Sequence, residues 1–349
     1  MSSQLAWLRS SYGYVGDAKS LFLLAKELEG KGHFGLAATA YDRAYGLDPK
    51  NAELVQARQK LLDSLAVTEF GIKFRYIPAG AFLMGSTNGD PDEQPMHPVE
   101  LTEYWLSETP ISWAAYCDLM NWESPPFPRP KDANSEDFMT DKNVELSLYF
   151  GSKIRRRYCE DATQGAIYRR YGSKPMVSVS WKEVEILCER ISNSNAVFRL
   201  PTEAEWEKAA RGGFIDCIYS WGNEPPTGER CDFNRFDQFS ILPMRQLPPN
   251  GYGLYAMNGC VWEWTDDWYD ALYYSASPLL NPRGPDTGQE KVLRGGSWAD
   301  CAEVVTVSFR MSRSATNWRE FPRPWEHYTP NIGFRLCRVV RNGITRQEP

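Results

Sequence analysis

Cys301 is the one thiol in a stretch that also holds Asp300, Glu303, Arg310, Arg313, Asn317, Arg319, Arg323, His327 and Asn331, with Trp298, Trp318, Phe321, Trp325 and Tyr328 among them. These residue types support three kinds of chemistry. A thiolate attacks an electrophile or binds a soft metal when a neighbour lowers its pKa. No histidine lies near Cys301 in the sequence, so it reads as a lone packed or half-exposed thiol rather than a nucleophile. Asp300, Arg310 and His327 form a conceivable acid–base set, although nothing in the sequence fixes their geometry. Trp, Tyr and Arg also concentrate binding energy at recognition surfaces, because each joins a large contact area to a directed polar group. Irregular folds use the same side chains internally to tie loops together, so both uses stay open residue by residue.

The elements that must present this stretch are two glycine-broken apolar runs. Val292-Leu293-Arg294-Gly295-Gly296-Ser297-Trp298 precedes it and Asn331-Ile332-Gly333-Phe334-Arg335-Leu336 closes it. Gly295 and Gly296 permit a bulge or a positive-φ kink that a Cβ resists. A strand pair bracketing a long irregular loop presents a site on a rigid base.

Composition narrows the remainder. The chain has 349 residues, 42% hydrophobic and 13% aromatic, with 13 Trp, 26 Gly and 24 Pro, which fits a globular core with much of the chain in packed loops. A net charge of −6 argues against direct nucleic-acid binding. No apolar run is long enough for a membrane span and the N-terminus lacks a signal-peptide pattern, so a cytoplasmic protein is expected. The eight cysteines are scattered with no CxxC, consistent with reduced thiols. The three histidines form no metal-binding pair.

Taken in order, residues 17–66 read as helices. Leu21, Leu24, Ala25 and Leu28 recur at helical spacing, then Ala37, Ala38, Tyr41 and Ala44 do so up to Leu47-Asp48-Pro49. That pair resembles a single tetratricopeptide repeat, either a partner-docking module or a cap packed on the main domain. From Phe74 the period changes to short strands around Ile77 and Phe82, with the acidic turn Asn88–Glu93 after them. Further strands are expected at Val99–Leu101, Tyr104–Leu106 and Pro175–Trp181. Ser112, Ser180 and Thr202 are placed to cap helices, Glu205 completing a capping box and Gly212 stopping its helix. Arg155–Arg157 and Arg169-Arg170 are basic clusters on a polar segment.

Four ordered motifs then stand out: Arg199-Leu200-Pro201-Thr202-Glu203-Ala204-Glu205-Trp206-Glu207, Val261-Trp262-Glu263-Trp264, Arg294-Gly295-Gly296-Ser297-Trp298 and Gly333-Phe334-Arg335. From about Phe74 to Val340 the chain resembles the formylglycine-generating enzyme (sulfatase-modifying factor) domain family. The resemblance implies an α+β, C-type-lectin-like fold of low regular secondary structure over 71–349, preceded by a small α-helical segment over 1–70. Catalytic members of the family use copper held by two cysteines, the first three residues after the motif serine and the second five residues later. Those places are Asp300 and Val305 here, so copper is not expected. Structural calcium is implied at two sites. One takes Asn234, the Arg235 carbonyl, Asp237 and the Phe239 carbonyl. The other takes Gly259, Val261 and Glu263, and lacks an oxygen ligand because Ala256 stands where the family has Asn or Asp.

The function this implies is a non-catalytic recognition or adaptor module with a protein partner. Its surface is the loop after Gly-Gly-Ser-Trp, drawing on Trp298, Asp300, Cys301, Arg310, Arg313, Trp318, Arg319, Trp325, His327, Tyr328 and Asn331. Some relatives diversify this loop as variable ligand-binding proteins. The alternative is an oxidoreductase or protein-modifying enzyme of the sulfatase-modifying type with altered active-site chemistry.

Overall fold

Helix-favouring periodicity at the N-terminus gives three helices in the computed structural model, which describes residues 16–120, 173–177, 179–235, 241–315 and 331–341. Helix α1 (Ala18–Gly30) starts on Asp17, whose side chain accepts from Ser20 N. Helix α2 (Phe34–Leu47) crosses α1 where Ala25, Ala37 and Ala44 are fully buried, and small side chains permit that close approach. Helix α3 (Ala52–Ser64) is capped by Asn51, whose side chain accepts from Leu54 N. These helices share one apolar cluster with the following domain: Leu21, Tyr41 and Leu61 pack with Tyr76, Leu106, Trp206 and Tyr252. They pack directly against the domain. Arg58 is the polar tie, donating to Asp42 on α2 and to the carbonyls of Gly251 and Gly212 on the domain.

The rest is mixed helix and sheet. Strands β1 (Val67–Glu69), β2 (Ile72–Ile77), β5 (Tyr104–Ser107), β11 (Cys337–Val340) and β6 (Ala196–Arg199) form a five-stranded sheet in that order. Strands β3 (Gly80–Met84) and β4 (His97–Leu101) form a separate pair. β2 and β3 are therefore neighbours in sequence that belong to different sheets. The third sheet has the order β10 (Ile332–Phe334), β7 (Trp262–Trp268), β8 (Glu290–Arg294) and β9 (Arg310–Ser314). The two glycine-broken strands expected to pair are thus separated by β7, to which β10 runs parallel. The loop between them is also shorter than its sequence suggests, because β9 pairs antiparallel to β8, Arg294 opposite Arg310. Only the first residue of β9 is buried, so the alternation that marks a strand is weak there.

Helix α4 (Trp113–Leu119) takes Ser112 as its N-cap. Helix α5 (Trp181–Ile191) takes Ser180, with Glu183 closing a capping box. Helix α6 (Glu203–Arg211) takes Thr202, with Glu205 reciprocating, and ends at Gly212 with φ +62°. Among the described residues of 175–181 no strand forms before α5. Pro175 makes one bridge to Ser112, and Met176 N donates to Ile111 O without a continuing ladder. The basic clusters of 155–157 and 169–170 lie outside the described residues. Among the described residues no helix is long and apolar enough to cross a membrane.

All nine residues of α6 are buried, four of its side chains being charged Glu or Lys and one Arg. Buried charge requires partners, and they come from distant segments. Glu207 accepts from Arg211 and Arg294, and Glu203 accepts from Arg310 through Nε (2.7 Å) and Nη2 (3.0 Å). Burial would raise the Glu203 carboxyl, but Arg310 and Arg294 outweigh it and hold it below the usual range.

His97 on β4 packs against this network. Its Nδ1 faces Pro95 O at 2.9 Å, its ring lies 4.7 Å from that of Tyr274, and its Nε2 is buried without a partner. Burial lowers its pKa, with Arg310 acting the same way and Glu207 and Glu203 opposing. The folded state therefore keeps a neutral imidazole where the unfolded chain takes a proton near pH 6.5. The unfolded state binds more protons below that pH, so stability falls as pH drops. Relative to His97→Gln, the wild type is expected to lose stability between pH 7 and 5, with a slope of at most about 1.4 kcal/mol per pH unit. Urea unfolding of both proteins across that range measures it, and a pH-independent difference refutes it.

Candidate functional site

The loop that follows Gly-Gly-Ser-Trp is built on three segments knitted by backbone bonds. Gly259 N donates to Gly295 O and Trp298 N to Cys260 O. Asn234 N donates to Asp300 O (2.8 Å) and Arg235 N to Trp298 O (2.8 Å). Gly295 and Gly296 sit at φ +98° and +70°. A Cβ on Gly296 would come within 2.7 Å of Val305 Cγ1, so Val305 is seated directly on the glycine.

This seating decides what the two former cysteine places do. Val305 is fully buried. Asp300 faces inward along its own turn, where its Oδ2 accepts from Ser297 N (2.9 Å) and Ser297 Oγ (2.5 Å). Asn331 Nδ2 donates to the same Ser297 hydroxyl (3.1 Å), which brings Ser297, Asp300 and Asn331 together. One carboxylate committed to a turn and one valine methyl pair offer no soft ligands, so the residues present do not fit a copper site. The neighbouring Cys301 is exposed, and its thiol donates to Glu303, holding that carboxyl below its usual range.

Several residues expected on the binding surface are elsewhere. Trp298 is 1% exposed and packs with Val177, Ile241, Cys260 and Val261. Its apolar face is drawn into a core cluster made by segments remote in sequence. Arg310 is buried, spent on Glu203, on the Asp92 carbonyl (2.7 Å) and on the ring of Tyr274 at 4.3 Å. Both are corrections from recognition to scaffold. Arg313 is half-buried on β9. Trp318, Arg319, Trp325, His327 and Tyr328 lie outside the described residues.

The calcium expectation at Glu263 is also corrected. Both its oxygens accept from Arg335 Nε (2.8 and 2.9 Å), and Oε2 accepts from Trp206 Nε1 (2.7 Å). A guanidinium already supplies the positive charge there, so Gly259 and Val261 are left without their acidic co-ligand. At the other site Asn234 is exposed at φ +51° and Arg235 pairs with Asp232 at 2.9 Å, while Asp237 and Phe239 lie outside the described residues.

Next to the loop is a cavity of about 370 Å³ between the Gly85–Gly89 turn, Arg211 and the segment around Glu303, Thr306 and Ser308. Glu93 lines it and is 4% exposed. Burial pushes its carboxyl up, against the hydrogen bonds from Ser308 and Asp90. Arg211 is not free to answer it, since its guanidinium donates to Glu207 and to the Gly85 carbonyl (2.9 Å). Asn88–Glu93 was legible as an acidic turn; that Glu93 folds under the loop of 303–308 was not, because the contact spans most of the chain.

Residues 71–340 match the family model described as sulfatase-modifying factor enzyme 1-like domain. The formylglycine-generating enzyme of Streptomyces coelicolor is 30% identical over 287 residues, covering 75% of this chain and 87% of that protein. Serine/threonine-protein kinase pkn1 of Chlamydia caviae is 34% identical over 239 residues, which is 67% of this chain and 34% of the kinase. The inactive C-alpha-formylglycine-generating enzyme 2 of Mus musculus is 28% identical over 291 residues, covering 75% and 84%. Among solved structures, Treponema denticola variable protein 1 has a TM-score of 0.55 at 22% identity, covering 78% of this chain and 97% of that one. PvdO from Pseudomonas aeruginosa has 0.58 at 18% identity, with the same coverage, and both likenesses concern the fold.

Proposed function

The chain belongs to the sulfatase-modifying factor enzyme 1-like family, and on that premise we propose that it is a non-catalytic recognition module whose partner is a protein. The observation that carries this reading is the fate of the two loop positions. Asp300 is consumed as a turn cap and Val305 as a core residue, so the loop is built to hold its shape rather than a metal. What the loop offers to a partner is its exposed turn, Cys301 and Glu303, beside the cavity under it. A rigid base presenting an exposed turn suits recognition, because little ordering cost remains to be met on binding.

The test is oxygen consumption with a cysteine-containing peptide and added copper. Uptake and peptide mass are expected to match a protein-free control, and copper-dependent uptake with conversion of the cysteine overturns the reading. On the binding side, Cys301→Arg and Glu303→Lys are expected to weaken the association with the protein that co-purifies from the native host. Unchanged association in both variants moves the face elsewhere.

A further inference from the structure

We infer that a second cavity, of about 230 Å³, walled by Trp221, Pro248, Leu254, Met257 and Asn258 with the exposed Arg230 on its lining, is a binding site for a small aryl carboxylate. It does not depend on the recognition role of the 299–315 loop.

Size sets the ligand class first. An apolar cavity of about 150 Å³ holds benzene, so 230 Å³ takes a benzene ring with a short polar arm. The cavity is open on one side, so a larger molecule can seat such a ring while the rest of it stays outside. The walls suit a ring. Trp221 is fixed in place, stacked on Tyr219 with centroids 5.0 Å apart and an interplanar angle of 2°, and its Nε1 donates to Glu224 O. Pro248, Leu254 and Met257 complete the apolar side.

Charge sets the arm. Arg230 is the one charged side chain on the lining, and no ion pair to it occurs among the described residues. A guanidinium fork matches a carboxylate in two parallel hydrogen bonds. Asn258 braces the wall from behind. Asn258 is 4% exposed, and its Oδ1 accepts from Ser220 N (2.8 Å) and Ser220 Oγ (2.5 Å). The Ser220 N–H can only donate, so the amide orientation is fixed and Nδ2 is the remaining group. That nitrogen is buried with no partner in the protein. It has no surface on the cavity, so the polar contact available to a ligand is Arg230.

The site is built in advance. Asn250 fixes the 248–254 turn, donating through Nδ2 to Ala209 O (2.7 Å) and accepting at Oδ1 from Tyr252 N and Leu254 N. Ala256 lies at φ +54°, a conformation an alanine resists. It is held there because Tyr255 N donates to Glu108 O and Tyr255 O accepts from Arg335. Strain of this kind persists where the surroundings over-determine it, and it clusters at ligand sites.

The ligand chemistry is an aromatic ring with a carboxylate one or two bonds away, from a free acid or from the C-terminal aromatic residue of a peptide. The experiment titrates the full-length protein by ligand-observed NMR with phenylacetate, phenylacetamide and N-acetylphenylalanine. Phenylacetate is expected to saturate, with phenylacetamide weaker by about two- to fivefold, the worth of one exposed charged pair. Arg230→Gln is expected to lose about two- to fivefold in phenylacetate affinity with unchanged thermal unfolding, since Arg230 is exposed and has no ion pair among the described residues. Tighter N-acetylphenylalanine assigns the site to peptide C-termini, and tighter phenylacetate assigns it to free acids. Equal affinity for acid and amide, or full retention in Arg230→Gln, overturns the inference, as does failure of both acids to bind by about 10 mM, below the millimolar class.

Discussion

Glu207→Ala is expected to destabilise the protein by about 3–5 kcal/mol, the cost of leaving buried charges without their counter-ion. Glu207 is fully buried on α6. Its Oε1 accepts from Gly85 N (2.8 Å), Arg211 Nε (3.1 Å) and Arg211 Nη2 (2.7 Å), and its Oε2 accepts from Arg294. Removing it strands two guanidiniums, each at or below 3% exposure. Arg294 also donates to the carbonyls of Val307, Ser308 and Phe309, so Glu207 fixes the return of the loop as well as the core. Urea unfolding should show the loss, and amide exchange should rise over residues 303–310. Glu207→Gln keeps the shape and some of the hydrogen bonds, so it should cost less than alanine. A loss below about 1 kcal/mol would mean that the guanidiniums find other partners or water.

That network marks the boundary of what the sequence carried. Caps were legible, because Ser112, Ser180 and Thr202 each bond within three residues of themselves. So was the loss of the copper pair, which needs only a count along the chain from Ser297 to Asp300 and Val305. Glu203 and Glu207 were not legible as core. A glutamate on a short helix ordinarily faces water, and what buries them here is Arg294 and Arg310, which lie on the far sheet. Trp298 failed in the opposite direction, read as a hot-spot aromatic when Cys260 and Val261 cover it. In both cases residue type was informative and direction was not, because direction is set by contacts distant in sequence. β9 was missed for a local reason: one buried position in five leaves no alternation to detect.

The same logic of remote contacts decides what the N-terminal helices are, and Arg58→Ala tests it. Arg58 is 2% exposed, although it sits on a helix that opens with Ala52-Glu53 and reads as amphipathic. It pairs with Asp42 (2.6 Å), donates to Gly251 O (2.6 Å) and Gly212 O (3.2 Å), and lies between the rings of Tyr45 (4.3 Å) and Tyr252 (4.8 Å). Tyr252 OH then donates to Asp42 (2.8 Å), closing a polar ring across the seam. Alanine leaves Asp42 without its counter-ion, with only the Tyr252 hydroxyl still donating to it, and takes a donor from two carbonyls, for an expected loss of about 3–5 kcal/mol. Arg58→Lys should recover only part of it, because an ammonium lacks the planar fork that reaches Asp42 and the carbonyls together. A cap sharing the core through Tyr41, Tyr76 and Tyr252 unfolds with it, so the variant should show one cooperative transition at lower denaturant. Amide protection over 18–64 should fall with that of the domain. Two transitions, the second at the wild-type midpoint, would instead make the helices an independent module free to dock a partner.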